Sequence, residues 1–486
     1  MSFNSLEYFL FLPVVYLVFL IAGERARWFV LLAASVLFYA SLNVPYLPLV
    51  LALVALTTYW CGIWLDRAAT AKAKLIVLWG GIAANVLLLV VMKYLPFLAE
   101  NLGALTALFT PGAVILPVKA FVAVGVSYYV FQAISYLFDI YLEIEQPERH
   151  FGYFALYLAF FPKLLQGPIE RAGDLMPQLK GKYEFNYDNM RFGLLLFVWG
   201  LFKKIVIADR LGLFADVVYN DVHAFTGLPL LLGTYAYAFQ IYMDFSGYTD
   251  MALGSARLFN INLSQNFASP YLATSVADFW RRWHITFSRW ILDYIFKPLQ
   301  MQWRSAKNVG TAAALIVAFL ISGLWHGASW GFVIWGGLHG LYMACSVFYK
   351  PYQKKLHKVL GIEKTAFLRV WQVFVTFNLV SFAWVFFRAN NLNDAAYVVS
   401  NILFGMKGLY ANFLMSQGHK EIILVVAGLA LLAVSKIILV KDHKARMEDY
   451  IAPKPLFYRW TFYASLTLSL LFFAFCTSST FIYNKF

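Results

Sequence analysis

Apolar runs long enough to cross a bilayer recur along this chain from end to end. A membrane-spanning helix needs about 20 predominantly apolar residues. In hydrocarbon every backbone polar group must find its partner within the protein, so only helices and closed barrels span. The runs here are continuous and lack the alternation of barrel strands, which argues against a β-barrel. Charged residues make up 13% of the chain, about half the 25% typical of a soluble domain. Mean hydropathy is +0.66. A disordered chain, a disulfide scaffold and an ordinary soluble enzyme are excluded. The expected fold is an all-α polytopic membrane protein.

The formal net charge is +14. In a soluble protein such an excess would suggest nucleic acid. Here it sits in short loops, where the bias of Lys and Arg toward the cytoplasm explains it and no nucleic-acid partner is expected. The basic segments are Glu24–Arg27, Asp66–Lys74, Arg171–Arg191, Arg281–Lys307, Lys350–Arg369 and Lys441–Arg459. Residues 43–46, 96–118 and 327–330 contain no Lys or Arg, and residues 389–420 contain only Lys407 and Lys420. One threading fits, with both termini outside. Its crossings fall near 6–22, 28–44, 46–64, 75–95, 119–141, 192–208, 230–252, 309–326, 331–349, 369–388, 421–440 and 457–477. The first stretch has no basic leader and no small-residue cleavage site, so it reads as a retained helix.

Two segments do not fit as crossings. Residues 151–166 are apolar but lie between basic loops and end in Gln166-Gly167-Pro168, which predicts a re-entrant segment. Residues 278–296 alternate charges and aromatics at helical spacing, which predicts an amphipathic helix at the cytoplasmic interface. No internal repeat and no long linker divides the chain, so one membrane domain over residues 1–486 is expected. Cys61, Cys345 and Cys476 are far apart, with no metal-ligand or disulfide spacing.

Ionisable groups are costly inside a bilayer and mark sites or structural pairs. His150, His357 and His443 fall in cytoplasmic loops, and His223 and His419 in external ones. His326 closes a crossing, beside Trp325 and between Gly323 and Gly327. A proton-transfer role and an interhelical hydrogen bond fit its position equally well. His339 lies thirteen residues on, in the antiparallel neighbour, where packing is the better reading. His284 follows Trp280-Arg281-Arg282-Trp283, a pattern that suits a phosphate-bearing ligand or lipid headgroups. Asp278 stands at helical spacing to pair with Arg281 or Arg282. Gln240, Asp244 and Tyr248 share one helix face, so that face must turn into the protein. Pro168, Glu170, Arg171 and Asp174 read as a cytoplasmic gate or a turn.

Taken together, these motifs resemble the membrane-bound O-acyltransferase family. The bacterial branch that modifies alginate and teichoic acid is the nearest in pattern. The matching stretches are Gln166-Gly167-Pro168-Ile169-Glu170-Arg171, Asp244-Phe245-Ser246-Gly247-Tyr248-Thr249-Asp250-Met251-Ala252, Asn266 with Pro270-Tyr271, Asp278-Phe279-Trp280-Arg281-Arg282-Trp283-His284-Ile285, Gly323-Leu324-Trp325-His326-Gly327 and Trp384-Val385-Phe386-Phe387-Arg388. They come in the family's order over about residues 120–390.

The resemblance implies a ring of about 11–12 tilted helices, with re-entrant and interfacial helices, around a central tunnel. It also implies acyl transfer from a thioester to a hydroxyl in a bacterial inner membrane. His326 matches the family's catalytic histidine, and His284 a second histidine of this branch on the cytoplasmic side. Arg281, Arg282, Trp280 and Trp283 become candidate donor-binding residues. Gln240, Asp244, Tyr248, Trp325 and His339 become candidate lining residues.

The implied co-substrate is acetyl-coenzyme A or a carrier-protein phosphopantetheine thioester. The implied acceptor is an extracytoplasmic polysaccharide or cell-wall glycan, reached with a secreted or anchored hydrolase-like partner. D-alanyl or other acyl transfer to teichoic acid is the alternative chemistry. In close alginate relatives a Gly-Gly-Asn-Arg turn follows the Arg-Trp-His helix. This chain instead has Lys297-Pro298-Leu299-Gln300-Met301-Gln302-Trp303-Arg304-Ser305, which argues against alginate itself as acceptor. A transporter or flippase using Gln240, Asp244 and His326 as a polar pathway, and a scaffold recruiting a separate transferase, are the rival classes.

Overall fold

The computed structural model describes residues 1–110, 118–119, 121–409, 413, 421–431, 450–451 and 453–473. Among them there are helices, turns and loops and no strand. The readings made above for His419, His443, Cys476 and the crossing halves beyond 431 and 473 lie outside these residues. Among the described residues, five helical stretches are long and apolar enough to cross a membrane: Tyr46–Arg67, Ala71–Phe109, Arg304–His326, Trp330–Val359 and Ala366–Arg388. The protein is a multi-pass helical membrane protein.

By contacts the chain divides into two compact units. The first comprises residues 1–193, 252–264 and 327–329. It holds α1 (Leu6–Ile21), α2 (Arg27–Ala40), α3 (Tyr46–Arg67), α4 (Ala71–Leu89), α5 (Leu95–Phe109), α6 (Val126–Tyr141), α7 (Phe151–Ala159) and α8 (Ala172–Lys180). Helix α6 is buried along almost its whole length. Between α3 and α4, Asn85 donates to Thr58 at 3.2 Å, a polar tie of the kind that joins helices in lipid.

Two expectations change in this unit. Residues 96–118 were read as an external loop because they lack Lys and Arg, yet 95–109 are helical. A π-turn at Val90–Tyr94 carries α4 into α5, and Pro96 sits in the first turn, where its missing N–H costs nothing. The crossing expected from 119 begins at Val126.

Helix α7, expected to be re-entrant, has 9 residues and is too short to span. The chain then turns through buried residues to Glu170. The Glu170 carboxylate accepts from Ser264 N–H at 2.6 Å and Ser264 O–H at 2.9 Å, which makes this stretch a pinned turn. Burial holds its carboxyl above the usual range, opposed by those two hydrogen bonds.

The second unit contains α10 (Asp209–Asn220), α12 (Val276–Trp280), α13 (Ile285–Ile291), α14 (Lys297–Gln302), α15 (Lys307–His326), α16 (Trp330–Val359), α17 (Ala366–Arg388) and α18 (Leu392–Asn401). It also contains most of α9 (Tyr187–Phe202) and α11 (Leu228–Leu258). A π-turn at Lys203–Ala208 carries α9 into α10. Gly200 on α9 and Gly247 on α11 face each other so closely that a Cβ on Gly247 would lie 2.7 Å from the Gly200 carbonyl. Only glycine lets these two backbones approach this way.

The single amphipathic helix expected over 278–296 does not form. Its place is taken by α12, a break at His284, and a run of α13, a π-turn at Leu292–Phe296 and α14. That run is about 27 Å long at about 1.5 Å per residue. It lies antiparallel to α15: Phe287 meets His326 at one end with ring centroids 5.5 Å apart. At the other end Gln300 bonds Thr311 at 3.2 Å. Of the aromatic stripe that looked interfacial, Phe287 packs on Trp325 of α15 at 4.3 Å and Trp283 on Trp384 of α17 at 5.2 Å.

Candidate active site

The site begins with the α15–α16 hairpin. A Cβ on Gly323 would fall 3.2 Å from the Gly336 Cα and closer still to the Phe332 carbonyl, so the two helices touch backbone to backbone. This contact brings His326, the last residue of α15, against Trp335 of α16, with centroids 4.9 Å apart. Trp325 at 4.8 Å, Phe387 of α17 at 5.4 Å and Phe287 of α13 complete the walls. His326 is 3% exposed.

His284 is held differently. Its backbone is left-handed, with φ 43° and ψ 55°, a conformation costing a non-glycine residue about 1–3 kcal/mol. Asn266 fixes it there. The Asn266 side-chain oxygen accepts from the Thr286 hydroxyl at 2.7 Å and from Thr286 N–H at 3.1 Å, and stands 3.4 Å from His284 Nδ1. The Asn266 carbonyl accepts Ile285 N–H at 3.0 Å. The break in the expected helix is therefore a clamped turn that aims the imidazole inward, where it is 0% exposed.

The His284 ring stacks on Phe287 at 5.0 Å, lies 5.9 Å from Trp325 and meets the Phe245 edge at 4.8 Å. Phe287 and Trp325 stack on each other at 4.3 Å. One layer of rings thus separates His284 from His326. The sequence suggested a separate cytoplasmic interface for His284; the packing of α13 on α15 puts both histidines in one cluster.

The four donor-binding candidates do not share a surface. Trp280 and Trp283 are buried; Arg281 is exposed and Arg282 half-buried. Arg282 pairs with Asp278 at 2.9 Å, as its spacing suggested. Trp283 packs on Phe279 at 5.5 Å and Trp384 at 5.2 Å. Trp280 donates its indole N–H to His339 Nδ1 at 3.2 Å. An indole can only donate, so neutral His339 carries its proton on Nε2. His339 is 0% exposed among Trp280, Trp335 and Phe319.

The α11 stripe turns inward, as its polarity requires: Asp244 and Tyr248 are buried, Gln240 half-buried. The sequence reading missed what balances it. Lys204, in the π-turn after α9, lies 2.6 Å from Asp244 and 2.8 Å from Asp209. The three side chains are 2%, 2% and 5% exposed. Lys203 beside it pairs with Asp250 at 2.5 Å and donates to Ser246 at 3.2 Å. A lysine pair inside an apolar run, some forty residues before an acidic helix face, was the available signal. Asn266 offered none by spacing.

Known proteins are similar to this chain over the residues that form the cluster. The model of the membrane-bound O-acyltransferase family matches residues 142–387, which contain both histidines. A peptidoglycan O-acetyltransferase of Helicobacter pylori is 37% identical over 442 residues, covering 84% of this chain and 80% of the relative. The probable alginate O-acetylase AlgI of Pseudomonas putida is 36% identical, covering 80% of this chain and 77% of the relative. A teichoic acid D-alanyltransferase of Bacillus subtilis is 25% identical, covering 63% of this chain and 76% of the relative. A family match that spans the clamped His284 turn and the His326 hairpin, with relatives this similar over most of their length, makes this enzyme a member of the membrane-bound O-acyltransferase family.

Proposed function

We propose that this enzyme transfers an acetyl group from a cytoplasmic thioester to a hydroxyl of an extracytoplasmic polysaccharide or cell-wall glycan. The observation that carries the reading is a buried histidine at a helix end, one aromatic layer from a second buried histidine. His326 acts as general base. It takes the proton of the acceptor hydroxyl as that oxygen attacks the thioester carbonyl. The C–S bond breaks, and the leaving thiolate takes the proton back from the imidazolium. The aromatic walls exclude water that would otherwise hydrolyse the thioester. Of the two candidate arginines, Arg281 is exposed and the freer to meet donor phosphates, since Arg282 is engaged by Asp278. Trp280, Trp283 and His339 are the packing behind the site.

The donor is acetyl-coenzyme A or a carrier-protein phosphopantetheine thioester. A secreted or membrane-anchored hydrolase-like partner completes transfer to the polymer. The setting is a bacterial cytoplasmic membrane. Acetyl is favoured over D-alanyl because the relatives named for acetyl transfer are 36–37% identical over 80% or more of this chain, against 25% over 63%. Mass spectrometry of envelope glycans from cells with and without the gene tests the reading. Loss of O-acetyl groups in the deletion strain, restored by the wild-type gene, is expected; an unchanged acetyl content would overturn it. Thioester-dependent labelling of purified protein separates transfer from transport.

A further inference from the structure

The first unit contains a pocket that the acyl-transfer chemistry does not use. Its volume is about 110 Å³, and it opens between the α1–α2 turn and the segment after α8. Both of these belong to basic segments that the charge pattern assigns to the cytoplasm. The floor is apolar and aromatic, with Phe19 and Phe259 edge-on at 5.1 Å.

Arg27 stands over this floor with its guanidinium 5.3 Å from the Phe19 ring centre and 5.1 Å from that of Tyr183. Two long contacts to the Phe19 and Tyr183 carbonyls, each 3.4 Å, fix its direction. Lys182 lies on the rim. Among the described residues, neither Arg27 nor Lys182 has a carboxylate within ion-pair distance. Lys180 also lines the pocket but is paired with Glu148, and Glu24 is the lining carboxylate, on the exposed side.

A guanidinium held in place by rings and carbonyls, with its charge left uncompensated in a concave site, is built to receive a planar or tetrahedral oxyanion. The volume has room for a phosphate group. We propose that this pocket binds the phosphate ester of an amphiphile at the cytoplasmic face, with Arg27 as the fixed ligand and Lys182 as a mobile second one. Two sources carry that chemistry: the headgroup of an anionic phospholipid, and the phosphate of the thioester donor.

The test uses the full-length protein purified in mild detergent. Arg27→Gln removes the charge but keeps a planar polar group. Lys182→Ala alters an exposed side chain that the fold does not need. Arg25→Gln makes the same change in charge on an exposed residue outside the pocket. Retention of phosphatidylglycerol is read by native mass spectrometry and binding of coenzyme A by calorimetry, each at low and high salt.

The proposal expects Arg27→Gln to weaken one of the two ligands about tenfold or more, equivalent to losing one charge-assisted contact. It expects a smaller effect of Lys182→Ala, no effect of Arg25→Gln, and melting temperatures near wild type. Loss of lipid alone identifies the headgroup as the source, and loss of coenzyme A alone identifies the donor. Unchanged binding of both probes in Arg27→Gln and Lys182→Ala would overturn the proposal. So would an equal loss in Arg25→Gln, because the effect would then be general surface charge. The acetyl-transfer reading does not depend on either result.

Discussion

Replacing Lys204 with methionine is the sharpest test of what holds the α9–α11 contact together. The side chain is 2% exposed and reaches both Asp244 at 2.6 Å and Asp209 at 2.8 Å. Methionine has nearly the same length and no charge, so packing is largely kept. What changes is that two buried carboxylates lose their shared cation. Breaking a buried pair by removing one partner costs about 3–5 kcal/mol, because the remaining charge stays desolvated. The loss should fall toward the upper end of that range, since two acids are left behind.

The assay is thermal and denaturant unfolding of the purified protein in one detergent. Asp244→Asn and the double variant complete a cycle. The double variant should be less destabilised than the sum of the singles, with a coupling of about 1–3 kcal/mol, as for residues in direct contact. Lys204→Met unfolding like wild type, or a cycle that adds with no coupling, would refute the ion-pair account of this polar face.

Gly323→Ala should destabilise by about 1–3 kcal/mol or more, as overpacking does, because its new methyl group meets the Phe332 carbonyl and the Gly336 backbone; a melting curve checks this. His339→Ala should lower stability by about 2–5 kcal/mol through a cavity and an unpaired Trp280 N–H, while turnover per folded molecule stays near wild type in an assay corrected for folded fraction. Single cysteines at Lys355 and Leu403, on a cysteine-free background, should label from opposite sides of the membrane with an impermeant maleimide; labelling from one side would break the threading.

The long apolar helices were readable because bilayer thickness forces one solution on any apolar run of that length. Tyr46–Arg67, Trp330–Val359 and Ala366–Arg388 show this directly. Charge bias was a poorer guide to local structure. It made residues 96–118 look like a loop, when a lack of Lys and Arg is equally compatible with helix α5. The same counting hid Lys203 and Lys204, which entered the sequence reading only as part of a crossing. Their partners Asp244 and Asp250 lie on another helix, and no local pattern reports such a pair.

The clamped turn at His284 was illegible for a related reason. Helical periodicity runs straight through it, and the competing contact comes from Asn266, eighteen residues earlier in the chain. What was legible at the site was residue chemistry. A histidine between glycines at a helix end, and a second beside tryptophans and arginines, pointed to the residues that the fold gathers into one cluster.

The central claim, that His326 is the base for acyl transfer, is tested most directly by the turnover of purified His326→Ala. Thioester-dependent acylation of an acceptor would be measured beside a melting curve, with His339→Ala as the comparison. His326 is 3% exposed and packed among four aromatic rings, so truncation also leaves a cavity, and turnover is read per folded molecule. Loss of a general base costs about a hundred- to ten-thousand-fold in rate. The account predicts a loss of that size per folded His326→Ala molecule, whereas folded His339→Ala turns over near wild type. A folded His326→Ala enzyme with near-normal turnover would contradict it.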